Sequence, residues 1–296
     1  MTLKMHANEL EINDELVCSL IKIQCPDLVG LPLKRVTSSG TDNALFRFGQ
    51  NWIVRLPRLV GSDENINKEY LWVPKLAPFL NIPISVPVFK GASTTFYPSS
   101  WMISQWNNGS NPEFEIENEY HDLAKDLANF LNQFHNIPLS NGPVSRRGLP
   151  LNVIDDEMRM SIAQLNHKEV DTTRITEIWE QSLSIPYWDK EAVWIHGDFL
   201  PGNILIQNNR LSAVLDFSDV GVGDPACDCV IAWALMNSES RKIFKNHLEN
   251  TDENTWLRGR AWALSIAVIM LPYYMHTNPV LVALARRVIE QILTEE

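Results

Sequence analysis

The chain has 296 residues, 45% of them hydrophobic, and its 36 acidic against 25 basic residues give a formal charge of −11. That length can bury a substantial core spread over two modest domains. The acidic balance argues against a general nucleic-acid surface, which needs clustered Lys and Arg, and it suits a cationic ligand or plain solubility equally.

The four cysteines, Cys18, Cys25, Cys227 and Cys229, form no Cys-x-x-Cys pair and have no His at zinc-finger spacing, which argues against a metal or disulfide role. Residues 1–8 lack the apolar core of a signal peptide. The longest apolar run, residues 261–271, contains Ser265, stops at Pro272 and falls short of the ~20 residues a membrane span requires. A soluble protein of the reducing cytoplasm, with no membrane partner, is expected.

Residues 9–23 carry Leu10, Leu16, Val17, Leu20 and Ile21 at helical spacing and predict a first helix. Residues 33–36, 44–48 and 52–56 read as strands of a small antiparallel sheet, the last two joined at Gly49-Gln50. Between the first two, Thr37-Ser38-Ser39-Gly40-Thr41-Asp42-Asn43 is a small polar turn whose amides can cover phosphates, although a plain hairpin turn has the same composition. Arg55 lies on the third strand, and residues 66–72 of the following helix offer Glu69 as its ion-pair partner. The alternative for Glu69 is a solvated surface carboxylate.

Pro74, Pro78, Pro83 and Pro87 predict a loop-rich crossover before a strand at Val88-Phe89. Residues 101–103 read as the last strand of an N-terminal lobe, 1–103, and the polar segment 104–112 reads as the hinge to a second lobe, 113–296. There, residues 120–136 carry Leu123, Leu127, Leu131 and Phe134 on one helical face, stopped by Pro138. The acidic run Glu113, Glu115, Glu117, Glu119 ahead of it can attract a cation, but a solvated lead-in is the simpler reading. After a loop at 141–150, Met158, Ile162 and Leu165, then Ile175, Ile178, Trp179 and Leu183, suggest two more helices.

Chemistry concentrates in Trp194-Ile195-His196-Gly197-Asp198-Phe199-Leu200-Pro201-Gly202-Asn203. Asp198 and Asn203 are five positions apart, with His196 two before the Asp, which is the spacing of a kinase catalytic loop. Residues 204–206 and 211–215 read as two strands joined by Gln207-Asn208-Asn209-Arg210, a hairpin that folds Asp216-Phe217 back beside Asn203. A turn and a strand-end cap would explain any one piece. Their combination predicts phosphoryl transfer, with Asp198 as base and Asn203 and Asp216 as oxygen ligands for magnesium. Arg55 then stands where kinases place a phosphate-pairing Lys. Further on, Gly221-Val222-Gly223-Asp224-Pro225 turns into a helix from Ala226 capped by Asp224, and residues 256–271 and 279–293 read as closing helices.

His196-Gly197-Asp198 to Asn203, followed by Leu215-Asp216-Phe217-Ser218-Asp219-Val220-Gly221-Val222-Gly223-Asp224-Pro225 and Asp228, resembles the aminoglycoside phosphotransferase family. Residues 40–48 and 54–58 extend the resemblance over most of the chain, and it is weakest over 141–190. It implies an α+β, bilobal protein-kinase-like fold with an antiparallel-sheet N-lobe and a mostly helical C-lobe. It also implies ATP or GTP as donor, Mg2+, and an acceptor hydroxyl on a small molecule, with cationic acceptors among the candidates. An aminoglycoside-like acceptor comes first, with a macrolide or a metabolic alcohol as alternatives. By the same resemblance the hinge backbone at Gln105 and Asn107 holds the adenine, Ser39 and Gly40 cover phosphates, and helices within 141–190 form part of the acceptor pocket. Asp228 recurs in the family pattern and braces the catalytic loop. An inactive, pseudokinase-like nucleotide-binding module is the alternative of another class, supported by Arg55 and the single Gly40, and opposed by the intact set Asp198, Asn203 and Asp216.

Overall fold

The computed structural model describes residues 8–38, 40–114, 119–138, 140–249 and 251–295. The first helix, α1 (Asp14–Gln24), starts later than its apolar pattern predicts. Asn13 Oδ1 accepts the Leu16 N–H at 2.9 Å, an N-cap that fixes the start, while the Leu10 N–H bonds the Arg58 carbonyl at 2.8 Å.

Strands β1 (Leu33–Arg35), β2 (Asn43–Phe48) and β3 (Trp52–Pro57) follow, then α2 (Asp63–Leu76), β4 (Pro87–Gly91) and β5 (Trp101–Gln105). They form one five-stranded sheet in the order β1-β2-β3-β5-β4, antiparallel throughout. Along β2 the buried residues alternate, Ala44, Phe46 and Phe48, as a sheet with one covered face requires. They pack with Val17, Leu20 and Ile21 of α1, Val54 and Leu56 of β3, and Trp101 and Ile103 of β5 into a first core. Gly91 pairs with Trp101, and any Cβ there would collide with the indole. Two boundaries differ from expectation. Pro74 lies inside α2, because Val73 and Leu76 on either side are fully buried and hold the last turn. β5 runs through Ser104 and Gln105, whose partners Ile53 and Trp52 continue the ladder.

The remainder is mostly helical: α3 (His121–His135), α4 (Asp155–Ile162), α5 (Thr172–Leu183), α6 (Ile231–Leu235), α7 (Ser238–His247), α8 (Glu253–Tyr274) and α9 (Pro279–Thr294). Two ribbons interrupt them, β6 (Val193–Ile195) with β9 (Gly221–Gly223) and β7 (Ile204–Gln207) with β8 (Arg210–Val214). The expected helix from Ala226 opens as a six-residue 3₁₀ segment, Pro225–Val230, before α6. α8 continues through Pro272 rather than stopping there. Helix α7 escapes the sequence pattern because its buried residues are Ser240, Arg241 and Phe244, too few apolar positions to make a stripe.

This second core contains Val73 and Leu76 of α2 as well as the helical residues. α3 is its axis. Phe130 stacks on Phe199 at 5.7 Å between centroids and Phe134 meets Phe217 at 5.8 Å, so one helix supports both motif loops. The expected α+β architecture, a sheet-built N-terminal part and a helical C-terminal part, is the one observed. The four cysteines are free, and no helix among the described residues is long and apolar enough to cross a membrane.

Candidate active site

The hairpin β7–β8 turns at Asn208 and Asn209, with φ of 52° and 58°, the left-handed pair that a two-residue turn needs and Asn tolerates. Beyond the last paired residues, Ile204 and Val214, the Leu215 N–H donates to the Asn203 carbonyl at 2.7 Å. That bond brings Asp216 alongside Asn203, as the hairpin reading requires. Asp216 itself has φ 57°, a conformation Asp accepts more readily than most residues, and its Oδ1 accepts the Ser218 N–H at 3.3 Å.

The residues of the His196–Asn203 loop are fastened from both sides. His196 is fully buried. Its Nδ1 faces the Asp198 N–H at 3.2 Å, so Nε2 carries the proton and donates to the Leu215 carbonyl at 2.9 Å. Burial lowers its pKa, which keeps this neutral form. From behind, Asp228 accepts the His196 and Gly197 N–H groups, each at 2.9 Å, and faces His135 Nε2 of α3 at 3.1 Å. Gly197 has φ +82°, and a Cβ on it would come within 2.7 Å of the Asp219 carbonyl oxygen, so the loop crosses there only as glycine.

Asp198 and Asn203 meet directly. The Asn203 Nδ2 donates to the Asp198 carbonyl at 2.9 Å and to its Oδ2 at 2.7 Å, which leaves the amide oxygen of Asn203 as an acceptor. Burial pushes the Asp198 carboxyl up to about 7; the Arg147 charge pulls it back, while Asp219 and Asp216 add to the rise.

Arg55 and Glu69 form a bidentate pair at 2.6 and 3.1 Å, both side chains buried, and the same guanidinium reaches Asp216 Oδ1 at 3.2 Å. The surface alternative for Glu69 is therefore excluded. Burial alone would lower the Arg55 pKa, but the carboxylates of Glu69 and Asp216 more than offset it and hold the group charged. Burial likewise favours the neutral form of Asp216, and Arg55 with the Ser218 N–H brings its pKa below the ordinary carboxylate value.

The other sequence candidates are placed less tightly. Ser39 lies outside the described residues, as do Glu115 and Glu117 of the acidic run. The Gly40 N–H bonds the nearby Ser38 Oγ, at 3.0 Å. Gln105 donates its N–H to the Val86 carbonyl at 2.9 Å and accepts the Ser85 hydroxyl on its own carbonyl at 3.0 Å. The Asn107 side chain approaches Ser85 Oγ at 3.4 Å. Four residues near the motif were not singled out from sequence: His135, Arg147, Asp219 and Tyr274. Tyr274 donates its hydroxyl to Thr41 Oγ1 at 3.2 Å, tying the end of α8 to the polar turn between β1 and β2. Asp219 lies within the Asp216–Pro225 motif itself, whereas His135, Arg147 and Tyr274 carry no local signal because each arrives from a different segment.

A sheet bearing an Arg–Glu pair, set against a helical part that carries an Asp–Asn loop and a following Asp-Phe, belongs to the kinase-like class of α+β folds. The profile of the Phosphotransferase enzyme family matches residues 35–262, and the chain belongs to that family. An aminoglycoside 3'-phosphotransferase of Salmonella typhimurium is 23% identical over 168 residues, spanning 52% of this chain and 61% of that relative's length. Among solved structures, the GDP complex of aminoglycoside 2'-phosphotransferase-IIIa superposes with a TM-score of 0.75 at 18% identity, covering 95% of this chain and 99% of the other. Macrolide 2'-phosphotransferase MphH from Brachybacterium faecium gives 0.65 at 19% identity, covering 95% and 99%.

Proposed function

We propose that the chain transfers the γ-phosphoryl group of ATP or GTP to a hydroxyl of a small molecule. The observation that carries this reading is the bonded set itself. The Leu215–Asn203 backbone bond and the Asn203–Asp198 side-chain bond gather a carboxylate of raised pKa, an amide oxygen and a second, ionised carboxylate beside a buried guanidinium. Phosphoryl transfer asks for little covalent chemistry, only an oriented hydroxyl and fixed charge around the phosphates.

In this reading Asp198 orients the acceptor hydroxyl and takes its proton. Arg55, braced by Glu69, faces the donor's phosphates. The Gln105 carbonyl, which has a second lone pair, and the Asn107 backbone hold the base at a hinge spanning 104–112 between lobes 1–103 and 113–296. Ser39 and Gly40 cover the phosphates. The donor set also fits magnesium: Asn203 spends its NH2 on Asp198 and keeps its oxygen, Asp216 is ionised, and both are hard oxygen ligands. When bound there, Mg2+ would neutralise phosphate charge. We assign the protein to the cytoplasm, where the donor nucleotide is supplied.

The names of the relatives and the charge of −11 support an aminoglycoside-like acceptor, and the MphH superposition extends the choice to macrolides. The charge of Arg147, which acts on Asp198, supports the metabolic-alcohol alternative. Mass-spectrometric detection of phosphorylated product from kanamycin, a macrolide and neutral alcohols, with ATP and GTP in parallel, tests the transfer. Isothermal titration of magnesium–nucleotide into Asp216→Ala should show binding abolished. Nucleotide binding by the unaltered protein with no transfer to any acceptor would favour the inactive module instead.

A further inference from the structure

We propose that Arg147 selects the acceptor, by holding a carboxylate or similar oxyanion that the acceptor carries near its reacting hydroxyl. The inference rests on the phosphotransferase reading and narrows its acceptor class.

Arg147 sits in a 3₁₀ turn, Arg146–Gly148, that is fastened to the motif from several directions. The preceding segment docks along β9: the Val222 N–H donates to the Pro143 carbonyl at 2.8 Å, the Ser145 N–H to Val222 at 3.3 Å, and the Asp224 N–H to Gly148 at 3.0 Å. Gly148 lies against Gly223 so closely that a Cβ on Gly148 would come within 2.7 Å of the Gly223 Cα. The Ser145 hydroxyl donates to the Asp219 carbonyl at 2.9 Å and accepts the Arg147 N–H at 3.3 Å. Asp219 in turn abuts Gly197, next to Asp198. The position of Arg147 is thus built into the same scaffold that holds the base.

Arg147 is half-buried as a residue; its guanidinium lies 5.7 Å from the centroid of the Trp262 ring and makes no ion pair with any described residue. Its neighbour Arg146, by contrast, is paired with Glu157 at 2.7 Å. The charge of Arg147 acts on Asp198, whereas the cation acting most strongly on Asp216 is Arg55. Two cations therefore act on the site, Arg55 bonded to Asp216 and Arg147 through its charge on Asp198. A planar fork of donors with no carboxylate of its own matches a carboxylate or phosphate in two parallel hydrogen bonds. A polycationic acceptor would have to place an amine beside it, with Asp219 as partial compensation.

The test uses alcohols matched in all but charge: glycerate, glycerol and 3-amino-1,2-propanediol, and gluconate, sorbitol and glucosamine, each with magnesium–ATP and magnesium–GTP. The carboxylated member of each set should have the highest kcat/KM. Arg147→Ala should raise its KM roughly 10- to 100-fold, the loss of a hydrogen bond to a charged group, and erase its advantage over the neutral member. Arg147→Lys should recover part of that advantage, and Arg147→Glu should shift preference to the amine. Preference of the unaltered protein for amines, no turnover of either carboxylate, or an equal fall of kcat on all three charge types in Arg147→Ala would overturn the proposal. Absence of magnesium–nucleotide binding by the unaltered protein would instead defeat the phosphotransferase reading beneath it.

Discussion

Asp228→Asn isolates the brace behind the His196–Asn203 loop. Asp228 is fully buried and its two oxygens serve the His196 N–H, the Gly197 N–H and His135 Nε2, at 2.9, 2.9 and 3.1 Å. Asn keeps the shape but has one acceptor oxygen, so its NH2 must oppose at least one of these N–H groups. An unsatisfied buried N–H costs about 1–3 kcal/mol, and losing a charge-assisted bond adds about as much. We expect a loss of roughly 3–5 kcal/mol. At about 2–4 °C per kcal/mol for a large domain, Tm should fall by roughly 6–20 °C in differential scanning calorimetry. Hydrogen exchange should quicken at the His196 and Gly197 amides first.

The pH dependence has a definite sign. Burial favours the neutral form of Asp228, but the hydrogen bond and charge of His135 and the Gly197 N–H bring its pKa below the ordinary carboxylate value. Its contribution is therefore complete above about pH 4 and is lost as pH falls further. The gap in Tm between the unaltered protein and Asp228→Asn should narrow below that pH. A Tm within 2 °C of the unaltered protein at neutral pH, with unchanged exchange at the two amides, would refute the reasoning.

Arg55→Ala should raise the nucleotide KM and, by stranding Glu69, destabilise the fold by about 3–5 kcal/mol; Arg55→Lys should retain part of the activity, and an unchanged KM in Arg55→Ala would move the phosphate contact to another cation. Gly197→Ala forces a side chain into a left-handed conformation, costing about 1–2 kcal/mol, and against the Asp219 carbonyl. Both Tm and kcat should drop, and wild-type values for both would show that the loop has room to shift.

The antiparallel sheet was legible because β2 carries clear alternation and Gly49 marks its turn into β3, whereas the order that sets β5 between β3 and β4 was not, since it depends on pairing between strands far apart in the chain. The hairpin bearing Asn203 and Asp216 was legible for a similar reason, with the Asn208-Asn209 turn set between two apolar runs. Glu69 was left between ion pair and surface, since burial by distant elements has no local signature. His135 and Arg147 were missed on the same ground: each reaches the motif from a segment dozens of residues away, His135 across 93 positions to Asp228. The β6–β9 ribbon was invisible because three-residue strands with two glycines carry no period. Boundaries moved where a side chain decided them, at the Asn13 cap and at the two prolines kept inside α2 and α8.

The most direct test of phosphoryl transfer at this site is kcat and Tm measured on one preparation of Asp198→Asn. The substitution keeps the shape of a side chain that bonds Asn203 at 2.7 Å and removes its ability to take a proton. A fall in kcat of roughly 10²–10⁴, with nucleotide affinity and Tm nearly unchanged, is the predicted result. A destabilised protein with near-normal turnover would contradict it.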